Sequence, residues 1–119
     1  MDWILDKKKP ICPQLCEQIC VRIAKGEFEP NQKLLSVRDV ALTAGVNPNT
    51  VQRSFEDLER MGIVYSIRGS GWYVSEDITF AKDTLERMLQ EKTTAYFADM
   101  NLLGMQNDEI KNYVKEWEQ

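Results

Sequence analysis

The chain has 119 residues, so it holds one domain with room for a small appendage. It is 43% hydrophobic and 29% charged, and it lacks an apolar run of the ~18 residues needed to span a membrane. The sequence contains no histidine and no glycine-rich phosphate loop, which argues against an enzyme and leaves no cofactor to expect.

The net charge of −4 is unevenly distributed along the chain. Residues 1–75 carry ten basic and nine acidic side chains, whereas residues 76–119 carry five and ten. A surface that faces a polyanion is therefore expected in the first part of the chain. Within that part, residues 7–9 form a basic run that we expect to be solvated, with contact to a phosphate backbone as the alternative.

A first helix is predicted from Pro10 or Pro13 to about Lys25. Its apolar residues recur every fourth position and form one stripe: Ile11, Leu15, Ile19 and Ile23. The same helix carries Cys12, Cys16 and Cys20. Three cysteines without an export signal indicate reduced thiols and a cytoplasmic location. We expect them to pack as core residues, because these thiols without histidine cannot form a closed tetrahedral zinc site within one chain; a thiol sensor and a metal site are the alternatives.

Two short helices joined by a tight turn are predicted between Ser36 and Gly62. Ser36 can cap the first of them, and Gly45 can end it. Asn47 can cap the second, with Pro48 at its first position. The apolar stripe of the second helix repeats at steps of four and three: Val51, Phe55, Leu58 and Met61.

The opposite face of that second helix carries hydrogen-bonding side chains of medium length in its first turns: Asn47, Asn49, Thr50, Gln52 and Arg53. A helix-turn-helix presents this part of its second helix to base edges in the major groove. Residues 56–59 are mostly acidic, so we expect the N-terminus of the helix to approach DNA first. The alternative is an ordinary helical hairpin with a solvated polar face.

A β-hairpin is predicted from strands at residues 63–67 and 72–74, with Leu34 as a further strand edge. The turn between the strands contains Arg68, Gly69 and Gly71. Glycine permits close backbone approach, and arginine suits the negative potential of a minor groove. The predicted fold is mainly α with a small β-hairpin (α+β), a winged helix-turn-helix domain over residues 1–75.

Residues 76–119 are predicted to form a helical tail. A long helix runs from about Ile78 to Asp99, a break follows at residues 101–104, and Asn107 or Asp108 caps a last helix. A segment of ~40 residues rarely buries enough surface to fold alone. Its apolar faces are therefore expected to cover a second copy of the chain; packing onto the same chain is the alternative.

Four segments, in order and at consistent spacing, resemble the DNA-binding domain of GntR-type bacterial transcription regulators: residues 33–41 (KLLSVRDVA), 46–51 (VNPNTV), 58–63 (LERMGI) and 68–74 (RGSGWYV). The Asn-Pro-Asn-Thr run and the short tail are most similar to the YtrA subfamily. Members usually have glycine where this chain has Asn31 and proline where it has Leu35, which puts the rigidity of that loop in doubt.

The resemblance implies a role for each site residue. Arg38 would contact a base or a phosphate, with a salt bridge to Asp39 or Glu59 as the alternative. At the start of the second helix of the pair, Asn47, Asn49 and Thr50 would contact phosphates and base edges. Gln52 and Arg53 would follow along the helix, with an ion pair to Glu56 or Asp57 as the alternative for Arg53. In the wing, Gly69 and Gly71 would approach the minor groove beside Arg68.

These expectations describe a homodimeric transcription regulator, a repressor that binds a palindromic operator in double-stranded DNA. A winged-helix module for protein–protein interaction without DNA binding is the alternative, favoured by the small positive charge of residues 1–75. A small-molecule effector could bind near Trp117, Tyr96 or Phe97, but aromatic residues at such seams usually just pack. The sequence therefore names no ligand.

Overall fold

The computed structural model describes residues 2–118. Its elements, in chain order, are α1 (Ile11–Ala24), α2 (Val37–Ala44), α3 (Pro48–Arg60), β1 (Val64–Ile67), β2 (Gly71–Val74), α4 (Thr79–Leu102) and α5 (Asn107–Lys115). The chain divides into two compact units, of which the first ends at Leu85 and the second begins at Glu86. The predicted winged helix-turn-helix fold with a helical C-terminal region is confirmed. No described helix has both the length and the apolar character to cross a membrane.

The core of the first unit forms where α1 and α2 pack against α3. The stripe predicted on α1 points inward, since Leu15, Ile19 and Ile23 are buried. Phe55 on α3 is 1% exposed and meets Trp72 of β2 edge-to-face, with ring centroids 5.6 Å apart. This unit extends past residue 75, because Ala81 of α4 is buried in the same core and Ile78, just before α4, packs against it. The functional division at that residue stays a prediction.

The ends of α2 and α3 form as their local sequence dictates. The Ser36 hydroxyl accepts a hydrogen bond from the backbone N–H of Asp39 at 3.0 Å, which satisfies a donor in the first turn of α2. Gly45 ends α2 in the left-handed conformation, at φ 68°. Asn47 caps α3, with Pro48 at its first position. These contacts fix the tight turn that separates the two helices.

The β-hairpin formed by β1, β2 and the turn between them is the wing of the fold. Its strands pair in antiparallel register, from Val64 opposite Val74 to Ile67 opposite Gly71. The predicted third strand edge is a single bridge, from Lys33 to Tyr73. Beside it, the backbone N–H of Leu34 donates to the Trp72 carbonyl at 2.8 Å. The segment before α2 is thereby attached to the wing.

Asn31 explains one departure from the family pattern, because it has a positive φ of 65°. Asparagine tolerates this left-handed conformation better than most residues, and glycine adopts it without strain. The backbone N–H of Asn31 donates to Val74 at 2.8 Å, and its side-chain oxygen accepts from the Tyr65 hydroxyl at 3.0 Å. The loop keeps its shape without glycine because asparagine supplies both the conformation and a contact.

We expect Asn31→Ala to lower the free energy of unfolding by about 1–2 kcal/mol, because alanine is strained at this φ and cannot accept the tyrosine hydrogen bond. Asn31→Gly and Tyr65→Phe lose only the hydrogen bond and should each cost less than the alanine variant. Urea denaturation of the three variants measures the difference. Equal stability of Asn31→Ala and the parent chain would contradict strain at this position.

The C-terminal helices differ from prediction at two ends. α4 continues to Leu102, through part of the predicted break at residues 101–104. The N-cap of α5 is Gln106, so the prediction of Asn107 or Asp108 is wrong. The Asn107 side-chain oxygen instead accepts from the Asn101 amide at 3.2 Å, while the Glu109 carboxylate accepts from the Gln106 backbone N–H at 2.9 Å. The cap shifts by one residue because the asparagine is used in the preceding turn.

Candidate nucleic-acid interface

One face of α3 is buried in the core, and the other is exposed and polar. Its buried face consists of Val51, Ser54, Phe55 and Leu58, which hold the helix in the core. Its first turns expose Asn49, Gln52 and Arg53 on the other side, and Thr50 is half-buried between the two faces. A helix anchored along one side presents its remaining polar groups in a fixed orientation. The predicted donors and acceptors of α3 are therefore displayed together on one rigid element.

Asn47 uses part of its side chain inside the protein. Its Oδ1 accepts a hydrogen bond from the backbone N–H of Asn49 at 2.8 Å. The exposed side-chain amide keeps its N–H₂ group as a donor. Asn47 thus both fixes the start of α3 and offers a donor beside it.

Arg38 and Arg53 are exposed, and neither forms the salt bridge that was their alternative role. Across residues 2–118, the ion pairs join Arg22 to Glu27, Arg60 to Asp57 and Arg87 to Glu91. The Glu59 carboxylate, an alternative partner of Arg38, accepts from the backbone N–H of Ser66 at 3.2 Å and from its hydroxyl at 3.0 Å. The guanidinium groups of Arg38 and Arg53 are available to an external anion.

The wing turn needs both of its glycines. Gly69 has a φ of 80° and Gly71 a φ of 138°, conformations that other residues rarely adopt. A Cβ atom on Gly71 would lie 3.3 Å from Cε of Lys33, so the lysine side chain runs along the wing. Arg68 is exposed at the same turn. The wing therefore combines close backbone access with two cationic side chains, of which Lys33 was missed in the sequence.

The N-terminal segment adds a cation at the turn of the helix-turn-helix. The Trp3 indole N–H donates to the Thr43 hydroxyl at 3.0 Å, and Lys7 Nζ donates to the Gly45 carbonyl at 2.6 Å. Lys7 is exposed, as expected of a solvated basic run, and its ammonium group also makes this contact within the protein. No spacing in the sequence could identify this contact, since Lys7 and Gly45 are 38 residues apart.

The arrangement can bind a polyanion and distinguish its bases, because arginine and lysine donate to phosphates while asparagine and glutamine side chains can pair with base edges. The nine residues predicted as the site lie on α2, on α3 and its N-cap, and at the turn between β1 and β2 including the first residue of β2, all in a single compact unit. Their individual contacts with DNA stay predictions.

The thiols of Cys12 and Cys16 on α1 contact residues 54 and 57 of α3, which are not among the nine predicted site residues. Cys20 is buried at 1% exposure, whereas Cys12 and Cys16 are half-buried. Burial, together with the neighbouring Cys12 and Cys20, raises the pKa of Cys16 from 9.0 to about 12. The core role expected for the cysteines therefore fits Cys20 well and the other two only in part.

We expect Cys16 and Cys20 to react slowly with iodoacetamide in the folded protein. A chelator is present so that any metal bound to the thiols does not affect the rate. A pKa of about 12 leaves Cys16 with roughly a thousandfold less thiolate near neutral pH than an ordinary thiol. Because folding raises this pKa, the protonated Cys16 thiol contributes its full stability to the folded protein below pH 9.0. That contribution is lost as the pH rises through about 12. Mass spectrometry of timed samples measures modification, with urea-unfolded protein as the control. Equal rates in both states would contradict the burial.

Comparison with known proteins identifies the domain. Residues 13–74 match the family described as bacterial regulatory proteins, gntR family. The chain is 34% identical over 115 residues to the HTH-type transcriptional regulator YhcF of Bacillus subtilis, covering 97% of this chain and 95% of YhcF. It is 35% identical over 111 residues to the HTH-type transcriptional repressor YtrA of the same organism, covering 90% and 83%.

Solved structures give the same result. A GntR family transcriptional regulator from Listeria monocytogenes superposes with a TM-score of 0.84 at 35% identity, covering 96% of this chain and all of that one. The DNA-binding domain of AraR in complex with operator ORE1 superposes with a TM-score of 0.55 at 27% identity, over 63% of this chain and 94% of that one. With the matched helix-turn-helix and wing, these similarities show that the chain is a DNA-binding transcription regulator and belongs to the GntR family.

Proposed function

We propose that the protein is a homodimeric repressor in the cytoplasm that binds a palindromic operator. The observation that carries the proposal is the exposed polar face of α3, flanked by Arg38 on α2 and by the glycine wing, with neither Arg38 nor Arg53 in a described ion pair. Two similar proteins support it: YtrA is named a repressor, and the AraR domain was solved with operator DNA.

In the proposed complex, the N-terminus of α3 enters the major groove. Asn49, Gln52 and Arg53 contact base edges, while Asn47 and Thr50 position the helix on phosphates. Arg38 contacts a guanine or a phosphate beside them. At the wing, Arg68 follows the minor groove, where Gly69 and Gly71 allow the backbone to come close.

Dimerisation is proposed from the second unit, considered by itself. α4 and α5 enclose a groove of about 750 Å³, lined by Lys92, Thr93, Tyr96, Phe97, Lys111, Tyr113, Val114 and Trp117. Trp117 is 59% exposed there, and Tyr113 and Val114 are also exposed. Contiguous exposed aromatic and aliphatic surface of this kind marks an interaction site. A second copy is its proposed occupant, because two half-sites of a palindrome require a two-fold symmetric protein.

Membership of a DNA-binding family argues against the alternative, a protein–protein module without DNA binding, and one observation is on the side of that alternative. Residues 1–75 have a net charge of only +1, a weak electrostatic footprint for a DNA-binding domain. Fluorescence anisotropy with random-sequence duplex at low and moderate salt distinguishes the candidates. Salt-dependent association supports DNA binding, and its absence at low salt supports the interaction module. The proposal names no small-molecule effector.

Arg38→Ala tests the proposed contacts on a duplex selected from a random pool. We expect it to lose about 1–3 kcal/mol of binding free energy, roughly 5–150-fold in affinity, if Arg38 contacts a guanine. Arg87→Ala is the matched control, since it removes an exposed arginine that pairs with Glu91 in the second unit. Unchanged affinity of the Arg38 variant in an anisotropy titration would remove this residue from the site.

A further inference from the structure

A second cluster of chemically active side chains lies between α1 and α3. Cys12 and Cys16 come from one face of α1, and Asp57 comes from the second half of α3. Their ligand atoms all lie within 4.8 Å of one another, and all three residues are half-buried. The Cys12 thiol donates to Oδ2 of Asp57 at 3.3 Å, across 45 residues of sequence. The fold therefore adds a carboxylate to a pair of thiols that the sequence shows only as a helical repeat.

The distances suit a tetrahedral thiophilic cation. Zinc binds thiolate sulfur at about 2.3 Å and carboxylate oxygen at about 2.0–2.2 Å, so two sulfur ligands of one ion lie about 3.8 Å apart. The three atoms, within 4.8 Å of one another, need only a small contraction to reach this geometry. Cysteines four residues apart on a helix already point the same way, which limits the rearrangement to side-chain torsions.

The surroundings of the cluster orient its ligands. The Ser54 hydroxyl donates to Cys12 Sγ at 3.1 Å, and the Cys16 thiol donates to the Ser54 carbonyl at 3.4 Å. Arg60 pairs with Oδ1 of Asp57, which leaves Oδ2 directed at the thiols. The Ser54 hydroxyl and Arg60 donate to ligand groups and can remain when the ion binds, as outer contacts do in functional metal sites. The Cys16 bond to the Ser54 carbonyl and the Cys12 bond to Asp57 are lost with the thiol protons.

We propose that Cys12, Cys16 and Asp57 bind a thiophilic divalent cation, with zinc as the fitting example, and that the fourth position is left to water. On binding, each thiol gives its proton to solvent and both sulfurs coordinate as thiolates. Two thiolates, one carboxylate and a dication have a net charge of −1, the same as two thiols and the carboxylate alone. The ion cross-links α1 to the helix that carries the proposed DNA contacts. The site stands on its own geometry and does not depend on DNA binding.

Cobalt(II) titration of the reduced full-length chain tests the site, because cobalt bound by thiolate gives charge-transfer absorption and tetrahedral cobalt gives visible bands. Zinc then displaces cobalt and its affinity is obtained by competition with a chromophoric chelator. We expect one ion per chain. Losing an outer contact costs about 10–100-fold in metal affinity, so losing a ligand in Cys12→Ser, Cys16→Ser or Asp57→Asn should cost ~100-fold or more.

Two matched variants serve as controls. Cys20→Ala removes the third thiol of α1, and Glu56→Gln removes the carboxylate next to Asp57; both should bind the ion as the parent chain does. Circular dichroism checks that each variant folds. If Cys16→Ser does not fold, the metal affinity of Cys12→Ser is the deciding measurement. The proposal is overturned if the parent chain shows no thiolate–cobalt band, if Cys12→Ser or Asp57→Asn retains full affinity, or if Cys20→Ala abolishes binding.

Discussion

Phe55→Ala should lower the free energy of unfolding by about 3–5 kcal/mol, because truncating a buried phenylalanine removes its transfer free energy and leaves a cavity. Phe55 is 1% exposed and packs edge-to-face on Trp72, with an angle of 76° between the rings. It lies on the buried face of α3, so it connects the helix that carries the proposed contacts to the wing. The loss is a large part of the ~5–15 kcal/mol that stabilises a typical domain.

Urea denaturation followed by circular dichroism measures this effect. Phe80→Ala is the control, because Phe80 is 62% exposed and should lose less than about 1 kcal/mol. We also expect the Phe55 variant to bind DNA less well in proportion to its unfolded fraction. A loss below about 1 kcal/mol at Phe55 would mean that α3 and the wing are not held together as described.

Trp117→Asp should convert the proposed dimer to a monomer and reduce operator affinity by about 10²–10⁴-fold. The substitution places a charge in the apolar groove between α4 and α5, where burial against a second copy would be costly. Two linked binding modules gain about 10²–10⁴ in avidity over one, and a monomer loses that gain. Its single α3 would still bind one half-site weakly.

Sedimentation velocity measures the assembly, and anisotropy with the selected operator measures the affinity. Asn112→Asp is the matched control, since it adds the same negative charge to an exposed position of α5 outside the groove. We expect Asn112→Asp to remain dimeric. A monomeric parent chain, or a Trp117 variant that stays dimeric with full affinity, would contradict the proposed role of the groove.

Features fixed by neighbouring residues could be predicted from the sequence. The caps at Ser36 and Asn47 and the helix end at Gly45 depend on side chains within a few residues, and the structure has them as expected. The same holds for the exposure of Gln52 and Arg53, which follows from the period of the apolar stripe.

Contacts between distant residues could not be predicted in this way. Lys7 at Gly45 and Asp57 at Cys12 depend on how separate elements pack, and nothing in their spacing marks them. The cap at Gln106 was missed because the next two residues, Asn107 and Asp108, can also cap a helix. The sequence does not show that the Asn107 side chain accepts a hydrogen bond from Asn101 instead. The sequence therefore located the polar surface of α3, but it did not show that Lys7 contacts Gly45 or that Asp57 contacts Cys12.

Hydroxyl-radical footprinting of the parent chain on an operator selected from random duplex tests the central claim most directly. Two copies that present paired α3 helices to one face of the duplex predict two symmetric protected segments, centred about 10 base pairs or a multiple of this apart. Substituting Arg38 or Arg53 should weaken protection in both segments equally. A single unsymmetric segment, or no protection at concentrations where the protein is fully dimeric, would contradict the claim.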